Sequence, residues 1–437
     1  MNIPKRIAQT LINSLKGGVV PRVGLPYITV GRKGEIEALL RDVDIIADGG
    51  AAFRFISGKY GSGKSFLLQT IRNYVMAKNF VVVDADLSPE RRLQGTRGQG
   101  LATYKELIRN MATKTKPEGG ALGLILDRWI SNVQRETADE ENLSLTDPGL
   151  ERLVEKKISA IVGSLSEMTH GFDFARLLTI YYKANVSGDD ELKAKVLKWF
   201  RGEYETKTEA KRELGVNIII TDDDWYEYLK LFATFLKRAG YEGLLILIDE
   251  LVNIYKIPHS VTRQYNYEKI LTMYNDAMQG KAHNMGVILC GTPQSMEDPR
   301  RGVYSYEALR SRLAQGRFAE HGKDLLSPVI RLQPLSQEEM LILVEKLADI
   351  HAELYDYKRT LKQKDLVDFI EIEFGRIGAD EHITPREVIR DFIEVLDILY
   401  QNPELKVRSL LGGGDFKFAK NDVEGAETSG EFAEFDV

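Results

Sequence analysis

The sequence has few of the residues that form disulfides, zinc sites or membrane spans. One cysteine, Cys290, occurs among 437 residues, which excludes an intramolecular disulfide and a metal cluster held by several cysteines. The six histidines are scattered without a His-x-x-x-His pair, so we expect no structural zinc site. The longest apolar runs, such as residues 244–248, are far too short to cross a bilayer. Since no signal-peptide pattern is present, we expect a cytoplasmic protein without membrane contact.

The net charge of −6 does not favour a protein coated with basic residues for nucleic acid, but the charge is unevenly distributed. Six basic residues precede the first acidic residue, Glu35, whereas residues 421–437 carry six acids and no base. This asymmetry is typical of a basic interaction arm and an acidic tail, and ordinary solvated termini are the alternative.

The basic N-terminal segment also has the pattern of an amphipathic helix. Its apolar residues recur every fourth position, at Ile3, Ile7, Leu11 and Leu15. This spacing predicts one apolar face that docks on the core of the protein. The basic side chains predicted to stay free for DNA or a neighbouring subunit are Lys5, Arg6 and Lys16.

A glycine-rich segment, SGKYGSGKSF at residues 57–66, matches the phosphate-binding P-loop pattern without a mismatch. Glycines let the backbone bend so that successive N–H groups point at phosphates. Lys64 would reach the β- and γ-phosphates of ATP, and the Ser65 hydroxyl would be a ligand of Mg²⁺. A chance match is the alternative, but a strand pattern before the loop and a helix pattern after it favour nucleotide binding. The predicted nucleotide-binding residues of the loop are Gly58, Tyr60, Gly61, Ser62, Gly63, Lys64, Ser65 and Phe66.

Two adjacent carboxylates follow the apolar run of residues 244–248, in the segment YEGLLILIDELVNIYK. A run that is apolar at every position predicts a central parallel strand covered on both faces. At the carboxyl end of such a strand, Asp249 would hold Mg²⁺ through its water shell and Glu250 would polarise the attacking water. A strand end capped by acidic residues is the alternative.

A further strand is predicted in MGVILCGTPQS, where Cys290 is interpreted as a small buried residue and not a nucleophile. The hydroxyl of Thr292, at the end of this strand, would contact the γ-phosphate or the attacking water. Arg310 and Arg312 follow in YSYEALRSRLAQGRF. An arginine that reaches a phosphate across a subunit boundary stabilises transition-state charge. Since the two are two positions apart on a helix, only one is expected to do so, and a surface arginine is the alternative.

Together these segments resemble an AAA+ ATPase. YITVGRKGEIEALL resembles the VGR segment that begins the ATPase module in initiator-type and STAND-type members, which implies that Arg32 lies near the adenine. ITPREVIRDFIEVL resembles a sensor 2 helix, which implies that Arg386 reaches the γ-phosphate from a lid.

A narrower resemblance, over about residues 5 to 400, is to the ATP-binding proteins of bacteriophage-exclusion (BREX) systems, the BrxD-like family. It rests on the segments DLSPERRLQGTRGQGLATYKELIRN, LIDELVNIYK and GTPQSMEDPRRGVYSYEALRSRL. The resemblance implies a role in prokaryotic phage defence, with a superfamily 2 helicase as a candidate partner. It also favours Arg312 over Arg310 as the arginine that acts in a neighbouring site.

The predicted fold class is α/β, an AAA+ P-loop core with a parallel sheet, a long helical insertion and a C-terminal helical or winged-helix-like lid. The glycine-rich motif and the acidic motif are about 190 residues apart, more than a compact P-loop core requires. The predicted segments are 1–116 (arm and first core part), 117–237 (helical insertion), 238–333 (second core part), 334–411 (lid with Arg386) and 412–437 (disordered acidic tail).

The functional hypothesis is an ATP-hydrolysing switch or motor that binds ATP and Mg²⁺, forms a homo-oligomer and works with DNA. The alternative is a non-motor scaffold, in which ATP binding alone orders the helical insertion for a protein partner, or a STAND-like regulatory switch that recruits such a partner. Glu250 favours hydrolysis, because a pure scaffold does not need a residue that activates water.

Overall fold

The computed structural model describes residues 3–316, 324–375, 384–405 and 409–410. They belong to two compact units. The larger unit comprises residues 32–59 and 64–332, and the smaller unit comprises residues 1–31, 60–63 and 333–437, each where described. The predicted acidic tail, residues 412–437, lies outside the described residues.

The larger unit is built on one sheet of five parallel strands. The strands are β1 (Ala51–Ser57), β2 (Val81–Asp86), β3 (Leu244–Asp249), β4 (Met285–Gly291) and β5 (Val329–Arg331), in the spatial order β2-β3-β4-β1-β5. Every residue of β3 and β4 is buried. This agrees with their uninterrupted apolar runs, which predict strands covered on both faces. The parallel arrangement brings the carboxyl ends of all strands to one edge of the sheet. The α/β fold class predicted from the sequence is confirmed.

Helices make up most of the remaining described structure. In chain order they are α1 (Lys5–Lys16), α2 (Leu25–Ile28), α3 (Lys33–Ala47), α4 (Lys64–Ala77), α5 (Gln99–Arg109), α6 (Leu122–Glu141), α7 (Leu150–Gly163), α8 (Gly171–Ser187), α9 (Asp190–Phe200), α10 (Lys207–Leu214), α11 (Trp225–Arg238), α12 (Val252–Tyr255), α13 (Ser260–Met278), α14 (Pro293–Glu297), α15 (Glu307–Leu313), α16 (Gln337–Leu354), α17 (Gln363–Phe374) and α18 (Pro385–Gln401). Across the described ranges, no helix is long and apolar enough to cross a membrane.

The stretch predicted as a helical insertion contains the helices α6 to α11. Their aromatic side chains pack edge to face, for example Phe174 against Phe232 at 5.1 Å and Trp129 against Phe235 at 5.0 Å between ring centres. These rings belong to the same hydrophobic cluster as Phe53 of the sheet. The helices therefore share one core with the strands, because their apolar faces are buried on the sheet and on each other.

The smaller unit joins the N-terminal helix to the C-terminal helices. The apolar face of α1 is buried at Ala8, Leu11, Ile12 and Leu15, and it packs against α16 and α18. The amphipathic helix is as predicted, and the residues that cover its apolar face belong to these later helices. Lys16 is not free, because its Nζ donates a hydrogen bond to Asp397 on α18 at 2.5 Å.

A buried polar network holds this packing. His351 of α16 is fully buried, with Nδ1 at 2.9 Å from the Tyr357 hydroxyl and Nε2 at 3.1 Å from the Asp397 carboxylate that also binds Lys16. Burial lowers the pKa of His351, and the neighbouring Asp397 opposes that shift. Burial alone would raise the pKa of Asp397, but the hydrogen bonds from Lys16 and His351 bring it below its usual value. The charged pair of Lys16 and Asp397 therefore fixes α1 to α18.

The C-terminal helices begin with capping signals that the sequence contains. Ser336 and Glu339 form a capping box at the start of α16, with each side chain bonded to the other residue's backbone N–H. Thr384 and Glu387 form the same arrangement at the start of α18. The described residues from 334 to 405 contain helices and no strand, so the helical form of the predicted lid is the one observed.

Candidate nucleotide-binding site

The glycine-rich loop connects the end of β1 at Ser57 to the start of α4 at Lys64. Gly61 has a φ of +72° and Gly63 a φ of +94°. Side chains disfavour this left-handed region, so the two glycines of the motif are required by the backbone itself. The backbone N–H of Gly58 donates to the carbonyl of Gly291 at 3.1 Å, which ties the start of the loop to the end of β4.

Lys64 is buried at the N-terminus of α4, with only 9% of its surface exposed. Its Nζ donates hydrogen bonds to the carbonyls of Gly58 at 2.8 Å and Lys59 at 2.9 Å. The amine is therefore turned back over the loop at a helix N-terminus, where backbone N–H groups and the helix dipole favour an anion.

Ser65 and Asp249 meet across the site. The Ser65 hydroxyl in the first turn of α4 donates to Asp249 Oδ2 at 2.8 Å, although 184 residues separate the two in the chain. Asp249 ends β3 and is 8% exposed. A hydroxyl and a carboxylate are hard oxygen donors, so this pair fits a Mg²⁺ ion bound by a few protein ligands and by phosphates.

Glu250 follows Asp249 in a strained conformation. Its φ is +62°, in the region where a residue with a side chain pays a conformational cost of about 1–2 kcal/mol. Its backbone N–H donates to Asp249 Oδ1 at 2.7 Å, and this bond compensates part of that cost. Strain of this kind is concentrated at functional sites, and the role of Glu250 in activating water stays a prediction.

Asp86 is a residue of this edge that the sequence analysis missed. It ends β2 and pairs in register with Asp249 of the neighbouring strand. Desolvation raises the pKa of Asp86 to about 6, and repulsion by Asp249 and Glu250 adds to the shift. The repulsion follows from the strand register, because β2 ends beside the two acids at the end of β3. The signal was available in the strand pattern VVVDAD, which also ends in an acid.

Thr292 lies directly after β4, at the same edge of the sheet. Its hydroxyl oxygen caps α14 by accepting a hydrogen bond from the Ser295 N–H at 3.2 Å, and the residue is 8% exposed. The cap leaves the hydroxyl hydrogen available as a donor, so its predicted contact with phosphate or water stays a prediction. Cys290 is fully buried and burial raises the pKa of its thiol, which confirms its interpretation as a packing residue.

The two candidate arginines both lie exposed on α15. Arg310 Nη2 is 2.7 Å from Glu307 Oε2, and its side chain is 48% exposed. Arg312 Nη1 donates to the carbonyl of Ala308 at 2.7 Å. Neither is held by a buried partner, so each is accessible to a neighbouring molecule, and the choice between them stays open.

The remaining predicted residues are distributed over both units. Arg32 has a φ of +60° and forms a largely buried ion pair with Glu35 at 3.5 Å, so its guanidinium also has a structural use. Arg386 is exposed on α18 in the smaller unit. Within the loop and first turn, Ser62 is buried, Phe66 is half-buried and Tyr60 is 46% exposed. The roles of Arg32 at the adenine and of Arg386 at the γ-phosphate stay predictions.

Comparisons with known proteins show the family to which the chain belongs. The search of curated proteins found no match to the chain. The model of the family described as BREX system ATP-binding protein BrxC/D matches residues 3–415, which include every site residue described above. The chain therefore belongs to this family of ATP-binding proteins of BREX phage defence.

Proposed function

We propose that the protein hydrolyses ATP with Mg²⁺ and uses the reaction as a switch or motor in phage defence. The observation that carries the proposal is the hydrogen bond of 2.8 Å between Ser65 and Asp249. It joins the first turn after the glycine-rich loop to the carboxyl end of β3, beside Glu250. A pure ATP-binding scaffold needs the loop, but it has no need of an acid placed to activate water.

The residues of the site have separable tasks in this reaction. Lys64 binds the β- and γ-phosphates, while Ser65 and Asp249 would hold Mg²⁺, which supplies positive charge to the phosphates. Glu250 orients the attacking water and accepts its proton. Thr292 donates its hydroxyl hydrogen toward the phosphate or the water. Each of these side chains belongs to the larger unit, on α4 or at the ends of β3 and β4.

Phosphate release by the purified wild-type protein tests the proposal. We expect release of phosphate from ATP that stops when EDTA removes Mg²⁺, and a higher rate when DNA is added. A scaffold would bind ATP at the same affinity without measurable release. If the protein binds ATP but releases no phosphate, with or without DNA, the scaffold function is correct and the ATPase function is wrong.

We also propose that the protein acts as a homo-oligomer in which an arginine of α15 completes a neighbour's site. Replacing the acting arginine by alanine is expected to lower kcat by roughly 10³-fold, the effect typical of an arginine that stabilises phosphoryl-transfer charge. The family resemblance favours Arg312, so Arg312→Ala should show this loss and Arg310→Ala a small effect.

Mixing two inactive variants measures whether the arginine acts between subunits. A mixture of Arg312→Ala with Lys64→Ala should recover part of the activity, because some interfaces combine an intact loop with an intact arginine. If activity is instead recovered by mixing Arg310→Ala with Lys64→Ala, then Arg310 and not Arg312 acts in the neighbouring site. No recovery in either mixture, with all variants folded, would contradict an arginine supplied in trans.

A further inference from the structure

Two arginine-bearing loops of the larger unit have no part in the ATP reaction described above. They are residues 88–98, which follow β2, and residues 298–302, which follow α14. We propose that these loops, together with the exposed face of α13, bind the phosphodiester backbone of single-stranded DNA. This proposal rests on the proposed function in one respect, because it assumes the DNA partner and assigns a binding surface to it.

The first loop is held in one conformation by buried polar groups. The side-chain oxygen of Asn266, which is fully buried on α13, accepts hydrogen bonds from the N–H groups of Leu93 at 2.9 Å and Gln94 at 3.0 Å. Its Nδ2 donates to the Gln94 carbonyl at 3.0 Å, and Trp225 Nε1 donates to the Leu93 carbonyl at 3.0 Å. The loop is therefore preorganised, which reduces the entropy lost when it binds a ligand.

The second loop is anchored on the next residue of the same helix. The Tyr267 hydroxyl donates to the Arg301 carbonyl at 2.5 Å, and Arg301 Nη2 donates to the carbonyls of Tyr255 and Ile257, each at 3.3 Å. Successive residues of a helix differ by about 100° in direction, so Asn266 and Tyr267 hold the two loops on different sides of α13. Both anchoring residues are buried, whereas Val261 and Tyr265 of the same helix are exposed.

Three arginines of the two loops lack the ion pair that other arginines of the unit form. Arg54, for comparison, is paired with Asp42 at 2.6 Å. Within the described residues, Arg92, Arg97 and Arg300 form no ion pair, and Arg97 and Arg300 are exposed. The Nε of Arg92 is buried, so Arg97 and Arg300 are the two that an external ligand can reach. Exposed guanidinium groups without a carboxylate partner favour an anionic ligand, because each can donate charge-assisted hydrogen bonds to it.

Two acidic side chains are bonded to the first loop. Asp222 accepts from the N–H groups of Gly98 and Leu101, each at 2.7 Å, and Asp223 accepts from Gln94 Nε2 at 2.8 Å. Other acids on or beside the surface are Glu90, Glu268 and Asp298, and Asp224 and Glu227 act together with Asp222 and Asp223 on Lys269 of α13. A bound strand must therefore make its phosphate contacts at the arginines and not at the acids bonded to this loop.

Aromatic and apolar exposure on α13 selects single strands. Tyr265 is 54% exposed and Val261 is 53% exposed, one helical turn apart. An exposed ring on the helix that anchors both loops can stack on unpaired bases, which a duplex keeps inside its helix. The same loop also reaches the nucleotide site, because Arg91 Nε donates to the carbonyl of Asp86 at 2.9 Å. A strand bound here would therefore act on the edge of the sheet that carries Asp249 and Glu250.

The test measures fluorescence anisotropy of a labelled single-stranded oligonucleotide over a range of salt concentrations. Charge reversal in Arg97→Glu/Arg300→Glu should weaken binding at least tenfold and lower the salt slope by about 1.4, since each lost phosphate contact is worth about 0.7. Tyr265→Ala should weaken binding of the single strand by about tenfold. Its effect on duplex binding should be small.

Two matched variants distinguish this surface from a general effect of net charge and from the basic N-terminal segment. Arg152→Glu/Arg212→Glu changes the net charge equally at exposed positions of the same unit, and Lys5→Glu/Arg6→Glu tests the N-terminal segment. Both should retain wild-type affinity for the single strand. Three results would overturn the proposal. The first is a loss of affinity in a control variant equal to that in Arg97→Glu/Arg300→Glu. The others are a wild type that binds duplex as tightly as the single strand, or one that does not bind the single strand. ATP hydrolysis without DNA should be normal in all of these variants. If the wild type itself does not hydrolyse ATP, that result contradicts the proposed ATPase function and not the DNA-binding surface.

Discussion

Replacing Lys64 by alanine is expected to weaken ATP binding on the order of 100-fold and to abolish hydrolysis. The lysine is the one residue of the motif whose ammonium group would bind both the β- and γ-phosphates. Losing two charge-assisted hydrogen bonds accounts for a change of this size. Titration with a fluorescent ATP analogue measures the affinity, and phosphate release measures turnover.

The interpretation of this result depends on a folded variant. Lys64 is buried and bonds to the carbonyls of Gly58, which is buried, and Lys59, which is exposed, so water can replace the lost amine only at Lys59. We therefore expect a lower melting temperature without nucleotide, but a folded protein, because one buried carbonyl loses its partner. Lys78→Ala, at the other end of α4 and paired with Asp44, is the matched control and should bind ATP normally. Unchanged ATP affinity in a folded Lys64→Ala protein would remove the loop from nucleotide binding.

Replacing Glu250 by glutamine is expected to preserve ATP binding and to lower kcat by about 10²–10⁴-fold. The amide has the same shape as the carboxylate but cannot accept a proton from the attacking water, and general base catalysis has this magnitude. Single-turnover hydrolysis of radiolabelled ATP separates the chemical step from binding. Glu242→Gln is the matched control, because Glu242 precedes the other end of β3 and pairs with Lys237 at 2.9 Å.

A second substitution at the same position tests the conformation of Glu250. Glycine adopts a φ of +62° without the steric cost that glutamate pays, so Glu250→Gly should lose hydrolysis without losing thermal stability. Hydrolysis at the wild-type rate in Glu250→Gln would show that another group activates the water. Asp86, which pairs in register with Asp249, would then be the first candidate.

The local parts of the site were predictable because neighbouring residues in the chain determine them. Glycines at 61 and 63 permit the positive φ values of the loop, and the lysine and serine after them begin a helix whatever the rest of the fold does. The apolar run of β3 likewise indicated a strand covered on both faces, and all of its residues are buried. Both predictions depend on short-range sterics and on hydrophobic pattern, which a sequence contains directly.

The packing partners were not predictable in the same way. The apolar face of the N-terminal helix was visible in the sequence, but an apolar stripe does not specify which surface will cover it. Its actual partners, α16 and α18, follow it by more than 300 residues, and the bond from Lys16 to Asp397 spans 381 residues. The functional assignment of Lys5, Arg6 and Lys16 depended on that choice of surface.

The sequence by itself indicated a nucleotide-binding loop, two acids after β3 and the helical and strand character of most segments. Only the tertiary structure decided that Ser65 meets Asp249, that Asp86 stands beside Asp249, and that Asn266 and Tyr267 hold two arginine loops around one helix. These contacts join residues far apart in the chain. Strand order and the burial of shared apolar faces set their distances, because a side chain's neighbours in space are chosen by the packing of whole elements.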